Sequence, residues 1–220
     1  MTPDASTPVI VRRYEPADRE AIRRICCETA DRGEPVEHFF RDREIFADLL
    51  LRYYLEQEPQ ATWLAEFEGR VIGYLTGCLD SRRYQRVMTW RIVPSAVCKA
   101  IGRGVLRHPQ TWALLQGGAA VWLQGGFAHH VPLQAYPAHL HVNVLEKFRG
   151  RTAGRQLIER FCEQVRAAGL GGVHAVARGD NPPACAFFER MGFSQVSRHP
   201  TTLFTGSLHY TVIYGKRLTQ

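Results

Sequence analysis

Apolar and polar positions alternate from Val9 to Tyr14, the pattern of a first strand, and Glu15-Pro-Ala-Asp18 then leads into a helix at about 18–30 whose Ile22, Ile25 and Cys26 share one face. A second helix is predicted over 37–56, where Phe39, Phe40, Ile45, Phe46, Leu49, Leu50 and Tyr53 recur as core positions. Strands follow at 61–67 and 71–79, joined by the short turn Glu68-Gly69-Arg70. Further on, 137–145 reads as a strand, and Ala153, Leu157, Ile158, Phe161, Val165 and Ala168 mark a helix that Gly169 stops. A fifth strand at 172–177, a helix opened by Asn181 and Pro182, and short strands near 194–197 and 207–214 complete the order.

This order predicts an α/β (α+β) fold: a mixed, mostly antiparallel sheet of about seven strands with helices on both faces. Between the third and fourth strands lies a long segment, 80–135, in which 94–107 and 111–124 read as helices. Its apolar run from Trp112 to Leu123 is too short to cross a membrane, which takes roughly 20 residues. No linker or repeat divides the 220 residues, so one domain is expected, within which the family resemblance described below makes 80–135 an insertion. The insertion leaves the third strand and returns at the start of the fourth, which makes it a candidate roof, with Trp112, Trp122 and Phe127 as its apolar surface.

The chemistry concentrates in Val142-Asn-Val-Leu-Glu-Lys-Phe-Arg-Gly-Arg-Thr-Ala-Gly-Arg155, a strand that turns through a basic, glycine-bearing loop into a helix. Unpaired N–H groups at a helix start and the positive end of its dipole attract phosphate, and glycine lets the phosphate approach the main chain. Two common phosphate motifs do not fit. A Walker loop would need Gly-Lys-Ser/Thr, whereas Gly154 precedes Arg155 and Gln156; a dinucleotide fingerprint would follow a strand, whereas Gly169, Gly171 and Gly172 follow a helix.

Arg149-x-x-Thr152-x-Gly154 after Val142-x-Val144 resembles the acetyl-CoA loop of the GCN5-related N-acetyltransferase superfamily, Gln/Arg-x-x-Gly-x-Gly/Ala. Asn181-Pro-Pro-Ala184-Cys-Ala-Phe187-Phe188-Glu-Arg-Met-Gly192-Phe193 resembles that family's later segment, Asn-x-x-Ala-x-x-Phe-Tyr-x-x-x-Gly-Phe. The stretch 136–196, beginning Tyr136-Pro-Ala-His-Leu-His-Val-Asn-Val, is also similar to the acetyltransferase-like C-terminal domain of O-GlcNAcases and its free-standing bacterial relatives. The eukaryotic examples of that group are regarded as pseudo-acetyltransferases, so this likeness implies a cofactor site more firmly than turnover.

The resemblance implies that the fourth and fifth strands run parallel and splay apart around acetyl-CoA. It implies that main-chain groups of Val142 and Val144 pair with the pantetheine. Amides of Gly150, Arg151, Thr152, Ala153 and Gly154 would hold the pyrophosphate, with charge from Arg149, Arg151 and Arg155; Asn181 and Phe188 would flank the pantetheine arm. The implied activity is direct acetyl transfer to an amine, either a small molecule or a single lysine side chain, without a metal; the alternative is a module that binds acetyl-CoA without catalysis. Two departures stand out: Thr152 replaces a usual glycine, and Phe188 replaces a tyrosine that often protonates the departing thiolate.

His141 and Asp180 are the candidate general bases. His139, His141 and Asn143 share one strand face while Ala138, Leu140, Val142 and Val144 share the other, so a structural role for either histidine stands beside the catalytic one. Helix capping stands likewise beside the basic role of Asp180. His139-x-His141 with His174 or His209 could ligate a metal, though no spacing demands it. The net charge of +7 changes little: lysine occurs only at 99, 147 and 216 among 28 basic residues, no nucleic-acid-binding motif accompanies the arginines, and coenzyme A is itself polyanionic. Six cysteines without a Cys-x-x-Cys pair and no signal peptide point to a reduced, cytoplasmic setting.

Overall fold

A computed structural model describes residues 8–105, 131–201 and 209–218. Seven strands form one sheet: β1 (Ile10–Arg13), β2 (Thr62–Phe67), β3 (Arg70–Cys78), β4 (Ala138–Val144), β5 (Gly172–Arg178), β6 (Ser194–Thr201) and β7 (His209–Arg217). Their spatial order is β1-β2-β3-β4-β5-β7-β6, and every neighbouring pair is antiparallel except β4 and β5. The β2–β3 hairpin closes through Glu68 and Gly69, both at positive φ (50° and 71°), as a two-residue turn matched to strand twist requires.

On one face lie α1 (Arg19–Glu28), α2 (Arg43–Gln57), α3 (Ser81–Val87) and α4 (Val93–Gly102). Ile22, Ile25 and Cys26 of α1 and Ile45, Phe46 and Leu51 of α2 close over Leu64 and Tyr74 of the sheet. The predicted helix over 37–56 is divided, because the Asp42 carboxylate accepts the N–H of Ile45 and starts α2 only at Arg43. The insertion opens with α3, which its expected helix at 94–107 did not include; Asp80 caps it by accepting from Arg82 and Arg83. A π-helical turn, Met88–Ile92, joins α3 to α4, and Pro94 in the first turn of α4 accounts for it, since proline removes an N–H and crowds the carbonyl four residues back. The expected helix at 111–124 and the roof residues Trp112, Trp122 and Phe127 lie outside the described residues.

The other face carries α5 (Ala153–Ala167) and α6 (Pro182–Arg190). Leu157, Ile158, Phe161 and Val165 of α5 are fully buried against β2–β5. Gly77 of β3 lets the Phe161 ring lie on the sheet: a Cβ there would fall 2.1 Å from Phe161 Cε2. This contact fixes the distance of α5 from the sheet, and with it the position of the loop that starts the helix. Ala168, expected as a core position, lies just past the helix and is exposed.

Candidate functional site

The site begins where two parallel strands part. β4 and β5 pair only from Ala138↔Val173 to Leu140↔Ala175, yet β4 runs on to Val144 beside β3 and β5 to Arg178 beside β7. Which main-chain groups face the gap follows from ladder alternation. Leu145 N–H donates to the Ile72 carbonyl (2.9 Å), so Asn143 and His141 also point toward β3, whereas Val142 and Val144 turn their N–H and C=O groups toward β5. Across the gap, Gly179 N–H donates to the Tyr210 carbonyl (2.7 Å), which leaves Val176 and Arg178 facing β4. The result is a fork whose edges present peptide groups that do not pair across the gap, although the Val144 carbonyl accepts from Arg149 and the Arg178 carbonyl from Asn181 N–H (3.1 Å).

At the open end of the fork, the loop after β4 delivers α5. Gly150 has φ of 78°, a conformation that costs L-residues and suits glycine. Thr152, where the family pattern has glycine, has φ of −71°, so its β-branch is unstrained; its hydroxyl accepts from Gln156 Nε2 (3.0 Å). Among the described residues no side chain caps the first turn of α5, which leaves its N–H groups available to an anion. Gly154 is buried, and a Cβ there would sit 3.1 Å from Phe187 Cζ and 3.9 Å from Val144 Cγ2. The three arginines are already engaged: Arg149 donates to the Val144 carbonyl (3.3 Å), Arg151 lies over the Phe67 ring (4.7 Å), and Arg155 pairs with Glu159 (3.5 Å).

A tight hairpin between α1 and α2 crosses the end of the fork. Asp31 and Glu34 exchange main-chain bonds (3.1 and 2.8 Å) around Arg32 and Gly33, both at positive φ. Gly33 abuts the Arg149 guanidinium, while Asp31 accepts from Arg178 at the end of β5 (2.8 Å), so the hairpin touches both diverging arms. Arg178 also binds both oxygens of Asp180 (2.9 and 2.7 Å), and this hydrogen bonding holds the Asp180 carboxyl below its ordinary range. Asp180 is therefore a poor proton acceptor. Asn181 caps α6, its side-chain oxygen accepting from Ala184 N–H (3.3 Å), which leaves its amide NH2 to donate elsewhere. Phe187, which sequence reasoning passed over, lies against Gly154, whereas Phe188 is buried and stacked on Tyr214 (5.7 Å).

With this geometry in view, residues 125–193 match the family described as Acetyltransferase (GNAT) family. The structure named SsHAT is 26% identical, with a TM-score of 0.70 and coverage of 96% of this chain and 99% of that one. The yncA protein of Salmonella typhimurium, solved with its cofactor acetyl-CoA, is 17% identical (TM-score 0.60, 96% and 95% covered), and the Drosophila melanogaster polyamine N-acetyltransferase is 16% identical (TM-score 0.62, 96% and 100% covered). The chain has the GNAT acetyltransferase fold. GNAT proteins use acetyl-CoA; in this chain the fork lies beside a loop with a positive-φ glycine, Gly150, a helix start without a side-chain cap, and a buried glycine, Gly154, packed against Phe187.

Within this GNAT fold the histidines of β4 sit on the α1/α2 face. His139 is fully engaged. Ser81 Oγ has one proton, donated to the Pro137 carbonyl (2.6 Å), so His139 Nδ1–H donates to Ser81 Oγ (2.8 Å) and Nε2 accepts from the Tyr54 hydroxyl (2.9 Å). Burial drives its pKa well below the usual value, with His174 and His141 adding to the effect. With edge contact to Tyr84 (4.6 Å), His139 ties α2 and α3 to the sheet and has no nitrogen left for catalysis or a metal. His141, two residues on, is lowered by burial to about 4 and is neutral at neutral pH. Its neighbour Asn143 donates to the Tyr74 hydroxyl (3.1 Å).

Proposed function

We propose that this chain is an acetyl-CoA-dependent N-acetyltransferase that moves acetyl directly to an amine. The observation that carries the reading is the fork, in which the N–H and C=O groups of Val142 and Val144 point at the gap that leads to the uncapped start of α5. Those groups would pair with the pantetheine arm, and a main-chain N–H fixed beside the thioester would oppose charge developing on its oxygen, an effect worth about 3 kcal/mol. The N–H groups of Gly150 to Gly154 would hold the pyrophosphate, with Arg149 released from the Val144 carbonyl to add charge, and the Asn181 amide would donate to the arm.

Bound acetyl-CoA supplies an acyl thioester: a C–N bond to the amine forms, the C–S bond breaks, the amine gives up a proton and the leaving thiolate takes one. His141 is the side chain assigned to that proton, since Asp180 is committed to Arg178. Phe188 donates no proton, which a thiol of pKa about 8.5 tolerates as a leaving group. The acceptor is a small-molecule amine or one extended lysine side chain, reaching the fork beneath the 31–34 hairpin. The whole chain forms one acetyltransferase-like domain with 80–135 as an insertion, in a cytoplasmic setting that suits its six unpaired cysteines.

A second reading is a module that binds acetyl-CoA without turnover, in keeping with the resemblance of 136–196 to the O-GlcNAcase-type domain. The depressed His141 and the ion-paired Asp180 favour it. Thiol release from acetyl-CoA, followed with a panel of diamines, amino acids and lysine peptides, separates the two. Amine-dependent release supports the enzyme; tight acetyl-CoA binding without release supports the module.

A further inference from the structure

Thr62 Oγ1, Thr76 Oγ1 and His141 Nε2 are buried and have no hydrogen-bond partner among the described residues. They are also neighbours. Thr62 lies opposite Thr76 in the β2–β3 register and Thr76 opposite His141 in the β3–β4 register, so the three side chains form one row across the sheet on the face that α1 and α2 cover. Residues directly opposite on antiparallel strands have Cβ atoms about 5 Å apart, and since no direct bond joins these three polar atoms, a water between neighbours is within reach of both. Both threonines are 0% exposed. Buried polar atoms in native proteins are paired in about nine cases of ten, and water fills that role wherever several such atoms converge.

We propose that Thr62 and Thr76 hold water against His141 Nε2 and are positioning residues that make His141 a competent proton acceptor. This rests on the reading of the fork as an acetyl-transfer site. A neutral imidazole has one N–H, but once it takes the amine proton it has two, and a second N–H sealed against apolar groups would oppose the transfer. The hydrated row supplies the acceptor that the charged form needs. The proton is held on His141 while the C–N bond forms and the C–S bond breaks, and passes to the thiolate, which returns the imidazole to its neutral state.

Among the described residues, no charged group beside His141 performs this task instead. Tyr74 on β3 lies beside His141, with Cys26 of α1 against it; His139 on the same strand meets Tyr54 of α2, Tyr84 of α3 and His174 on β5, and the buried Glu58 carboxylate on the same face is spent on the Tyr53 hydroxyl (2.6 Å) and Leu79 N–H (2.8 Å). Burial keeps the tyrosines protonated, pushes the Cys26 thiol up to about 12 and keeps His139 and His174 neutral. His139 shows the contrast: its nitrogens are both satisfied by protein groups, and it is a structural residue.

Thr76→Val is the test, because it keeps the shape and removes only the hydroxyl. An orphan hydroxyl with no role destabilises, so its removal alone would leave Tm unchanged or raise it. The expected result is a folded variant with unchanged acetyl-CoA affinity, kcat lowered at least tenfold, the acid limb of the pH–rate profile moved to lower pH, and a changed imidazole 15N shift for His141 in the free protein. Thr76→Ser should restore all of these. A folded Thr76→Val protein with the wild-type 15N shift, kcat and pH profile overturns the proposal. The 15N shift needs no substrate, so it decides the hydrated row even if the wild type proves to acetylate no amine. Should Thr76→Val fail to fold, Thr62→Val is read by the same measurements with the same two outcomes.

Discussion

Replacing Gly77 with alanine should disturb the site from the far side of the sheet. The new Cβ would lie 2.1, 2.5 and 2.6 Å from three atoms of the Phe161 ring, where ordinary carbon contacts are about 3.5–4.0 Å. The ring must retreat by roughly 1.5 Å, judged against that contact distance. Phe161 is 0% exposed and its ring is rigid, so the retreat is transmitted to α5 or forces the side chain off its rotamer. Overpacking of this kind costs about 1–3 kcal/mol, and at about 2–4 °C per kcal/mol for a chain of this size Tm should fall by roughly 2–12 °C. Because α5 starts at the loop proposed to hold the pyrophosphate, acetyl-CoA affinity should fall with it. Thermal denaturation of Gly77→Ala, Phe161→Leu and the double variant provides the check. The smaller ring-free side chain should accommodate the new methyl, so the double variant should be more stable than the sum of the singles by about 0.5–3 kcal/mol. Additive losses, or a wild-type Tm for Gly77→Ala, would refute the idea that this contact spaces α5 from the sheet.

Gly150→Ala isolates the backbone term, since a Cβ at Gly150 meets nothing within 4 Å while its φ of 78° disfavours any side chain by about 1–2 kcal/mol. Acetyl-CoA Kd should rise about tenfold in calorimetry, and an unchanged Kd would remove the loop from the binding account. Stability should depend on pH through the buried His174 and the half-buried His139 and His141. His139, His141 and His174 have folded pKa values below the ordinary imidazole value of about 6.5, so the folded state binds fewer protons than the unfolded one in the window beneath it. Stability is full above that value and falls with pH by about 1.4 kcal/mol per unit for each histidine, continuing to about 4 for His141. A urea midpoint that stays constant from pH 7.5 to 5 would contradict this.

The elements were legible because their signals are local, whereas the fork was expected only from the family resemblance. Alternation placed Val142 and Val144 on the face opposite His141 and Asn143, and the structure keeps that division. What the sequence left open turns on contacts between distant segments. Whether Thr152 or Gly150 takes the positive φ is decided by how the loop meets α5, and the structure assigns it to Gly150. Phe187 and Phe188 are adjacent on one helix, and only the docking of α6 decides which meets Gly154. His139 is fixed by Tyr54 and Ser81, each more than fifty residues away in the chain. The pairing of Asp180 with Arg178 had a local signal, two residues apart at the end of β5, that the capping rule obscured. The π-helical turn before α4 was marked in sequence only by Pro94.

Calorimetric titration of acetyl-CoA into the wild-type chain, repeated with Gly154→Val, tests the central claim most directly. The fork and loop predict one saturable site on the wild type, with affinity at least tenfold weaker in a folded Gly154→Val protein, about 1.4 kcal/mol, because the added side chain presses on Phe187 and Val144 and shifts the start of α5 proposed to hold the pyrophosphate. A wild-type protein that takes up no acetyl-CoA, or a folded Gly154→Val protein that binds it as tightly as the wild type, would contradict the assignment of the cofactor cradle.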